Sequence, residues 1–331
     1  MNASVIGGGS WGSAFALYLG RNKIRTKLWI REPEIFETAV RDRENKVFLA
    51  GFKFPPEVSF HHDLAQALQG SELLFVAVPS QFSRKIYARL APYLTADHSV
   101  ISLTKGIEKR TLLRMSEVMA EVFAPPSRPR LGVLSGPSFS KEVAQGHPTA
   151  LVLASNDLPW AAGIQHCVSS PTLRIYTSGD VTGVEIAGSL KNGIAIAAGI
   201  NDSLQFGNNA RAALVTRGLA EMTRLGVKLG ARKETFFGLA GIGDLMLTCT
   251  GLLSRNRHVG DELGKGKTLS SIIAGMRTVA EGISTTLSAR ALAHRERVEM
   301  PIFEQVYQIL YRKKDPRTAL ADLMSRTLKG E

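Results

Sequence analysis

Cysteine is nearly missing: Cys167 and Cys249 are the two thiols in 331 residues. They form neither a metal-ligand spacing nor a disulfide framework, which excludes zinc modules and small cross-linked secreted folds. The expectation is a reducing compartment, buried bystander thiols and no metal. Long apolar runs are also missing, since Leu73–Val78 and Ile194–Ile200 fall far short of the ~20 residues that span a bilayer. The first apolar strand starts within the first few residues and leaves no room for a charged and apolar leader, so a cytoplasmic protein is expected. Acids are outnumbered, 29 against 41 Lys and Arg, for a net charge of +12. Aromatics are scarce at 7% and few interleave with the scattered cations, which argues against a nucleic-acid surface. A positive field also steers small anionic substrates, and that is the expected partner class. Repeats and low-complexity linkers are absent.

What is present begins at the amino terminus. The apolar Ser4-Val5-Ile6 runs into Gly7-Gly8-Gly9-Ser10-Trp11-Gly12, and then into Ala14-Phe15-Ala16-Leu17. Strand, Gly-x-Gly-x-x-Gly and helix is the order in which a helix N-terminus receives a dinucleotide pyrophosphate. Gly7 permits the turn, Gly9 admits the phosphates and Gly12 lets helix and strand pack closely, so a side chain at any of them should intrude. Trp11 reads either as a packing aromatic or as a ring beside the cofactor.

Short apolar runs recur at 26–30, 73–78, 99–103, 131–134, 150–154 and 173–176, mostly with helical segments between them. Alternation of this kind predicts an α/β fold with a parallel, doubly wound sheet. Ile6, Val78, Leu103 and Leu134 precede polar loops, the places where such sheets bind ligands. A turn at Ser178-Gly179-Asp180 opens a long helical stretch, and strand signals then fade. Segments such as Arg211–Leu225 and Pro301–Leu310 have helical periodicity. The expected organisation is a dinucleotide-binding domain over 1–179 and an all-α domain over 180–331.

The second strand ends at Ile30 with Arg31 and Glu32 behind it, where NAD-specific folds place an acid for the ribose 2′-OH. Arg31 can neutralise a 2′-phosphate, so NADP is expected, with NAD also open because of Glu32. Lys191 has Ala187, Gly188, Ile194 and Ala195 as helical neighbours, and no salt-bridge partner on its own face. Small apolar surroundings would favour a neutral amine able to exchange protons. Thr104-Lys105-Gly106 and Gly136-Pro137-Ser138-Phe139-Ser140 lie at the ligand edge of the sheet. In the helical half, Asp244 offers an acceptor and Arg255, within Ser254-Arg255-Asn256, a forked phosphate donor.

In their order these motifs resemble the NAD(P)-dependent sn-glycerol-3-phosphate dehydrogenases of bacterial type, over essentially the whole chain: Gly7–Gly12, Thr104–Gly106, Gly136–Phe139, Lys191-Asn192, Gly241–Asp244 and Ser254–Asn256. The resemblance implies a Rossmann-type domain followed by a helical one, a homodimer, and interconversion of dihydroxyacetone phosphate and sn-glycerol 3-phosphate for phospholipid synthesis. Lys191 then corresponds to the catalytic lysine, and Lys105 to a contact with both substrate and nicotinamide. Gly136, Ser138, Asp244, Ser254, Arg255 and Asn256 correspond to the substrate shell. Gly7, Gly9, Ser10, Trp11, Gly12, Arg31, Ser140, Arg255, Val279 and Glu281 correspond to cofactor contacts. Two alternatives stand beside this: a hydroxy acid dehydrogenase of related architecture, and a nicotinamide-binding sensor without catalysis.

Overall fold

The computed structural model describes residues 2–123, 125, 128–276, 278–328 and 330. Its strands are β1 (Asn2–Ile6), β2 (Arg25–Trp29), β3 (Val58–His61), β4 (Leu73–Val76), β5 (Ser99–Ser102), β6 (Arg130–Ser135), β7 (Thr149–Ala154) and β8 (Leu173–Ser178). Helices α1 (Ser10–Arg21), α2 (Pro33–Asp42), α3 (Leu64–Leu68), α4 (Ser80–Leu90), α5 (Met115–Val122), α6 (Ser140–Gln145) and α7 (Leu158–Val168) alternate with them. After β8 come α8 (Val181–Ser203), α9 (Gly207–Lys228), α10 (Asp244–Thr250), α11 (Arg255–Gly264), α12 (Leu269–Gly275), α13 (Glu281–Glu296), α14 (Pro301–Arg312) and α15 (Pro316–Met324). Two compact units result, the first made of Met1–Lys105 and Leu113–Glu185, the second of Gly106–Leu112 and Ile186–Glu331.

In the first unit the eight strands lie in the order β3-β2-β1-β4-β5-β6-β7-β8. Both faces of the central strands are covered: all four residues of β4 are apolar and buried, and all four of β5 are buried. Val5 stands opposite both Leu28 and Phe75, and Phe15 of α1 meets Phe75 edge-on with ring centres 4.8 Å apart. Order reverses between β1 and β4, the switch point where such sheets bind ligands. The sheet is parallel, as expected from the apolar runs, at every joint but one, where β6 and β7 pair antiparallel. The link between them, 136–148, carries the short α6.

The second unit is helical, with no strand among the described residues after Ser178. Small residues let its helices approach closely. A Cβ at Gly199 of α8 would stand 2.0 Å from the Arg257 carbonyl of α11, and one at Gly260 1.9 Å from that of Ile196. Phe236, Phe303, Met222, Leu190 and Ile107 form its core. Cys249 is buried here, and that burial pushes its thiol up to about 12. Cys167, expected to be buried, is exposed: α7 covers the sheet with Trp160, Ala161 and Val168, which leaves Cys167 on the solvent face. No described helix is long and apolar enough to cross a membrane.

Candidate active site

The glycine turn sits at the carboxyl end of β1. Gly7 has φ +126°, and a Cβ there would be 2.5 Å from the Ala77 carbonyl oxygen. A Cβ at Gly12 would lie 2.0 Å from the Gly7 carbonyl oxygen, so only glycine allows α1 this close to the strand. At Gly9 a Cβ would meet no described protein atom within 4 Å. What it would fill is open space in front of α1, whose N-cap Gly9 supplies no side-chain cap and whose first turn carries no acid. Those first amide donors are left for an external anion. Ser10 opens that turn. Trp11 packs on Phe15 with ring centres 5.5 Å apart, yet its buried indole N–H has no hydrogen-bond partner among the described residues. A buried donor without an acceptor is costly, and a bound group would supply one. These features fit a dinucleotide.

A residue that sequence reasoning missed braces the turn. The fully buried Asn45 donates from Nδ2 to the Gly8 carbonyl at 2.7 Å and to Ser13 Oγ at 2.9 Å. No local signal marks it, because its partners lie more than thirty positions away. Arg31 follows β2 with its side chain 62% exposed, and its Nε donates to Glu32 Oε1 at 2.9 Å. The two residues weighed against one another in sequence are thus an ion pair.

Further along the same sheet edge, the Thr104 hydroxyl donates to the Val78 carbonyl at 2.7 Å, which ties the segment after β5 to the one after β4. Lys105 Nζ donates to the Gly136 carbonyl at 2.7 Å and reaches Ser138 Oγ at 3.5 Å. Gly136, at φ +132°, also accepts from Ser138 Oγ at 3.0 Å. The first unit therefore gathers Lys105, Gly136 and Ser138 into one cluster, with Ser140 at the start of α6.

In the second unit α8 carries Lys191, whose side chain is 7% exposed. Its Nζ donates to Asp244 Oδ1 at 2.5 Å and to Thr248 Oγ1 at 2.8 Å. Its own helix face offers no acid, but the small apolar surroundings expected for it are corrected here, because α10 brings Asp244 and Thr248 to the amine. Asp244 is itself 1% exposed. Thr248, one helical turn on, donates its hydroxyl to the Asp244 carbonyl at 2.6 Å. Spacing of four on one helix face could have flagged Thr248 once Asp244 was chosen.

Ser254 caps α11, its Oγ accepting from the Arg257 amide at 3.2 Å. Arg255 keeps solvent access; protein packed around its head lowers the guanidinium from its ordinary value, and Glu281 opposes that shift. Asn256 is buried and donates to Asn192 Oδ1 at 2.8 Å while accepting from the Gly282 amide at 2.9 Å. Asn256 thereby joins the residue after Lys191 to the start of α13, where Glu281 stands. Val279 precedes that helix and is exposed.

An uncapped glycine turn at the switch point of a doubly wound sheet marks a dinucleotide-binding protein. Residues 2–161 match the family model for the NAD-dependent glycerol-3-phosphate dehydrogenase N-terminus, and 180–321 that for its C-terminus. Glycerol-3-phosphate dehydrogenase [NAD(P)+] of Geobacter sulfurreducens is 50% identical over 99% of this chain and 98% of its own length. The enzyme of that name from Syntrophobacter fumaroxidans is 49% identical over 99% of this chain and 96% of its own. A crystal structure of glycerol-3-phosphate dehydrogenase from Coxiella burnetii superposes with a TM-score of 0.94 at 38% identity, over 98% of this chain and 99% of that one. The chain belongs to the NAD-dependent glycerol-3-phosphate dehydrogenase family.

Proposed function

We propose that this chain reduces dihydroxyacetone phosphate to sn-glycerol 3-phosphate, reversibly, with NADPH or NADH, and so feeds glycerophospholipid synthesis. One observation carries the chemistry: a buried ammonium, Lys191, held at 2.5 Å by a buried carboxylate, Asp244. The bound nicotinamide supplies hydride to C2 of the ketone. Lys191 gives its proton to the C2 oxygen and takes it back in the reverse direction, a task typically worth about 10²–10⁴-fold. Asp244 and Thr248 fix the direction of the amine.

The remaining assignments follow the family motifs. Lys105 orients substrate and nicotinamide, and Gly136 and Ser138, its bonded neighbours, share the substrate shell with Asp244 and Ser254. Arg255 and Asn256 take the phosphate, Arg255 through its fork. Anchoring the phosphate aligns the carbonyl at a distance from the reacting carbon. Gly7, Gly9, Ser10, Trp11 and Gly12 hold the pyrophosphate end of the cofactor, Arg31 its ribose, and Ser140, Val279 and Glu281 line it elsewhere. The domain division at 179/180 is supported by the second matched region starting at residue 180. A homodimer in the cytoplasm completes the reading.

The test is oxidation of NADH and of NADPH with dihydroxyacetone phosphate against a panel of 2-keto acids. Turnover of the triose phosphate alone is expected. Preference for a keto acid would favour a hydroxy acid dehydrogenase, and cofactor binding without turnover a sensor.

A further inference from the structure

The segment after Lys105 does not stay with the sheet it leaves. Residues Gly106–Leu112 belong to the second unit, whereas Lys105 and Leu113 belong to the first. Within the second unit this strap is firmly seated. Ile107 is fully buried in the helical core. Its carbonyl accepts from the hydroxyl of Ser288, a 1% exposed residue of α13, at 3.2 Å. The strap is also braced internally, because the Leu112 amide donates to the Glu108 carbonyl at 2.9 Å and Thr111 Oγ1 donates to the Glu108 carboxylate at 2.5 Å. Leu112, at φ +61°, closes it in a left-handed conformation that a branched side chain adopts at a cost. Lys105 thus has its amine held by Gly136 of the first unit and its next peptide bond in a segment fastened to the second.

We infer that the strap sets the position of Lys105, with Ile107 and Ser288 as positioning residues for the reaction: loosening the seat at Ile107 displaces the lysine without touching substrate or cofactor. This rests on the assignment of Lys105 to the reaction. Ile107 lies two residues from Lys105, so displacement of its seat reaches the Lys105 backbone through two peptide units.

The experiment uses the full chain carrying Ser288→Ala, with Ile107→Val as a second variant that keeps the core filled. Loss of one hydrogen bond predicts a fall in kcat of about 3- to 10-fold with the melting temperature lowered by no more than about 6 °C. The same substitution is then placed in a Lys105→Met background. If Ser288 acts through Lys105 it has no further effect there, whereas a merely structural residue lowers the residual rate by the same factor in both backgrounds. Additive losses, or no loss from either single variant, would overturn the inference. Amide hydrogen exchange at Lys105 and Gly106 gives a second reading that needs no turnover: faster exchange in Ser288→Ala supports the strap, and unchanged exchange refutes it. Wild-type protein that fails to reduce dihydroxyacetone phosphate would sink the dehydrogenase assignment, and the exchange measurement would still decide the strap.

Discussion

Asp244→Asn removes the carboxylate from Lys191 while keeping the shape of the side chain. Both partners are almost wholly enclosed, at 7% and 1% side-chain exposure, with nitrogen and oxygen 2.5 Å apart. Solvent cannot replace the lost charge. Breaking a buried pair by removing one partner typically costs about 3–5 kcal/mol, because the remaining ion is left uncompensated. At roughly 2–4 °C per kcal/mol for a cooperative unit of 150–250 residues, the melting temperature should fall by about 6–20 °C. Thr248 still accepts from the amine at 2.8 Å, so the lysine retains one anchor, but turnover should drop by about two orders of magnitude or more as its orientation is lost. Calorimetry and a coupled NADPH assay read the two effects. The double variant Lys191→Met with Asp244→Leu separates them: apolar residues of similar volume often match or exceed a buried pair in stability, so melting should recover while turnover stays absent. Were Asp244→Asn to melt within about 2 °C of wild type and keep a third of its turnover, the pair would contribute neither the stability nor the acid–base geometry argued for it.

Lys191→Ala should lose about 10²–10⁴-fold in kcat with the NADPH dissociation constant little changed; near-wild-type turnover would remove the lysine from the mechanism. Arg255→Ala should weaken dihydroxyacetone phosphate by about 10- to 100-fold through loss of a charge-assisted fork. An equal loss with unphosphorylated dihydroxyacetone would show that Arg255 does not read the phosphate. Arg31→Asp should weaken NADPH more than NADH, and Glu32→Gln, which frees the guanidinium, should tighten NADPH relative to NADH by up to about fivefold; parallel shifts for the two cofactors would place both residues away from the 2′ position. Burial pushes the Glu221 carboxyl from 4.5 up to about 7, against the backbone amides of Ile302 and Phe303 that it accepts from. Between those values the folded chain holds a proton that the unfolded chain has lost, so stability should fall by about 3 kcal/mol as pH rises from below 4.5 through 7. Denaturant unfolding across that range checks the slope, which Glu221→Gln should flatten.

The parts of this fold legible in the sequence were those whose physical cause is local. Strands buried on both faces carry short apolar runs, unbroken in β4 and reduced to a Val-Ile pair in β1 and β5, while β3, an edge strand with only Val58 buried, left no such trace. Direction is not written in an apolar run at all, so the antiparallel joint between β6 and β7 left no signal in the sequence. The glycine turn was legible because its spacing is local: Gly12 answers the Gly7 carbonyl five residues back, and Gly7 itself takes a positive φ. Lys191 shows the opposite case. Its helix neighbours were read correctly, yet the decisive partner lies 53 residues on, and reasoning confined to i±3 and i±4 sees one helix only. The same limit hid Asn45 from the glycine turn and Ser288 from the strap, each a small polar residue defined by a carbonyl far away in the chain. Sequence periodicity thus names the elements and the chemistry-bearing side chains, and the long-range hydrogen bonds that aim those side chains are what the folded chain adds.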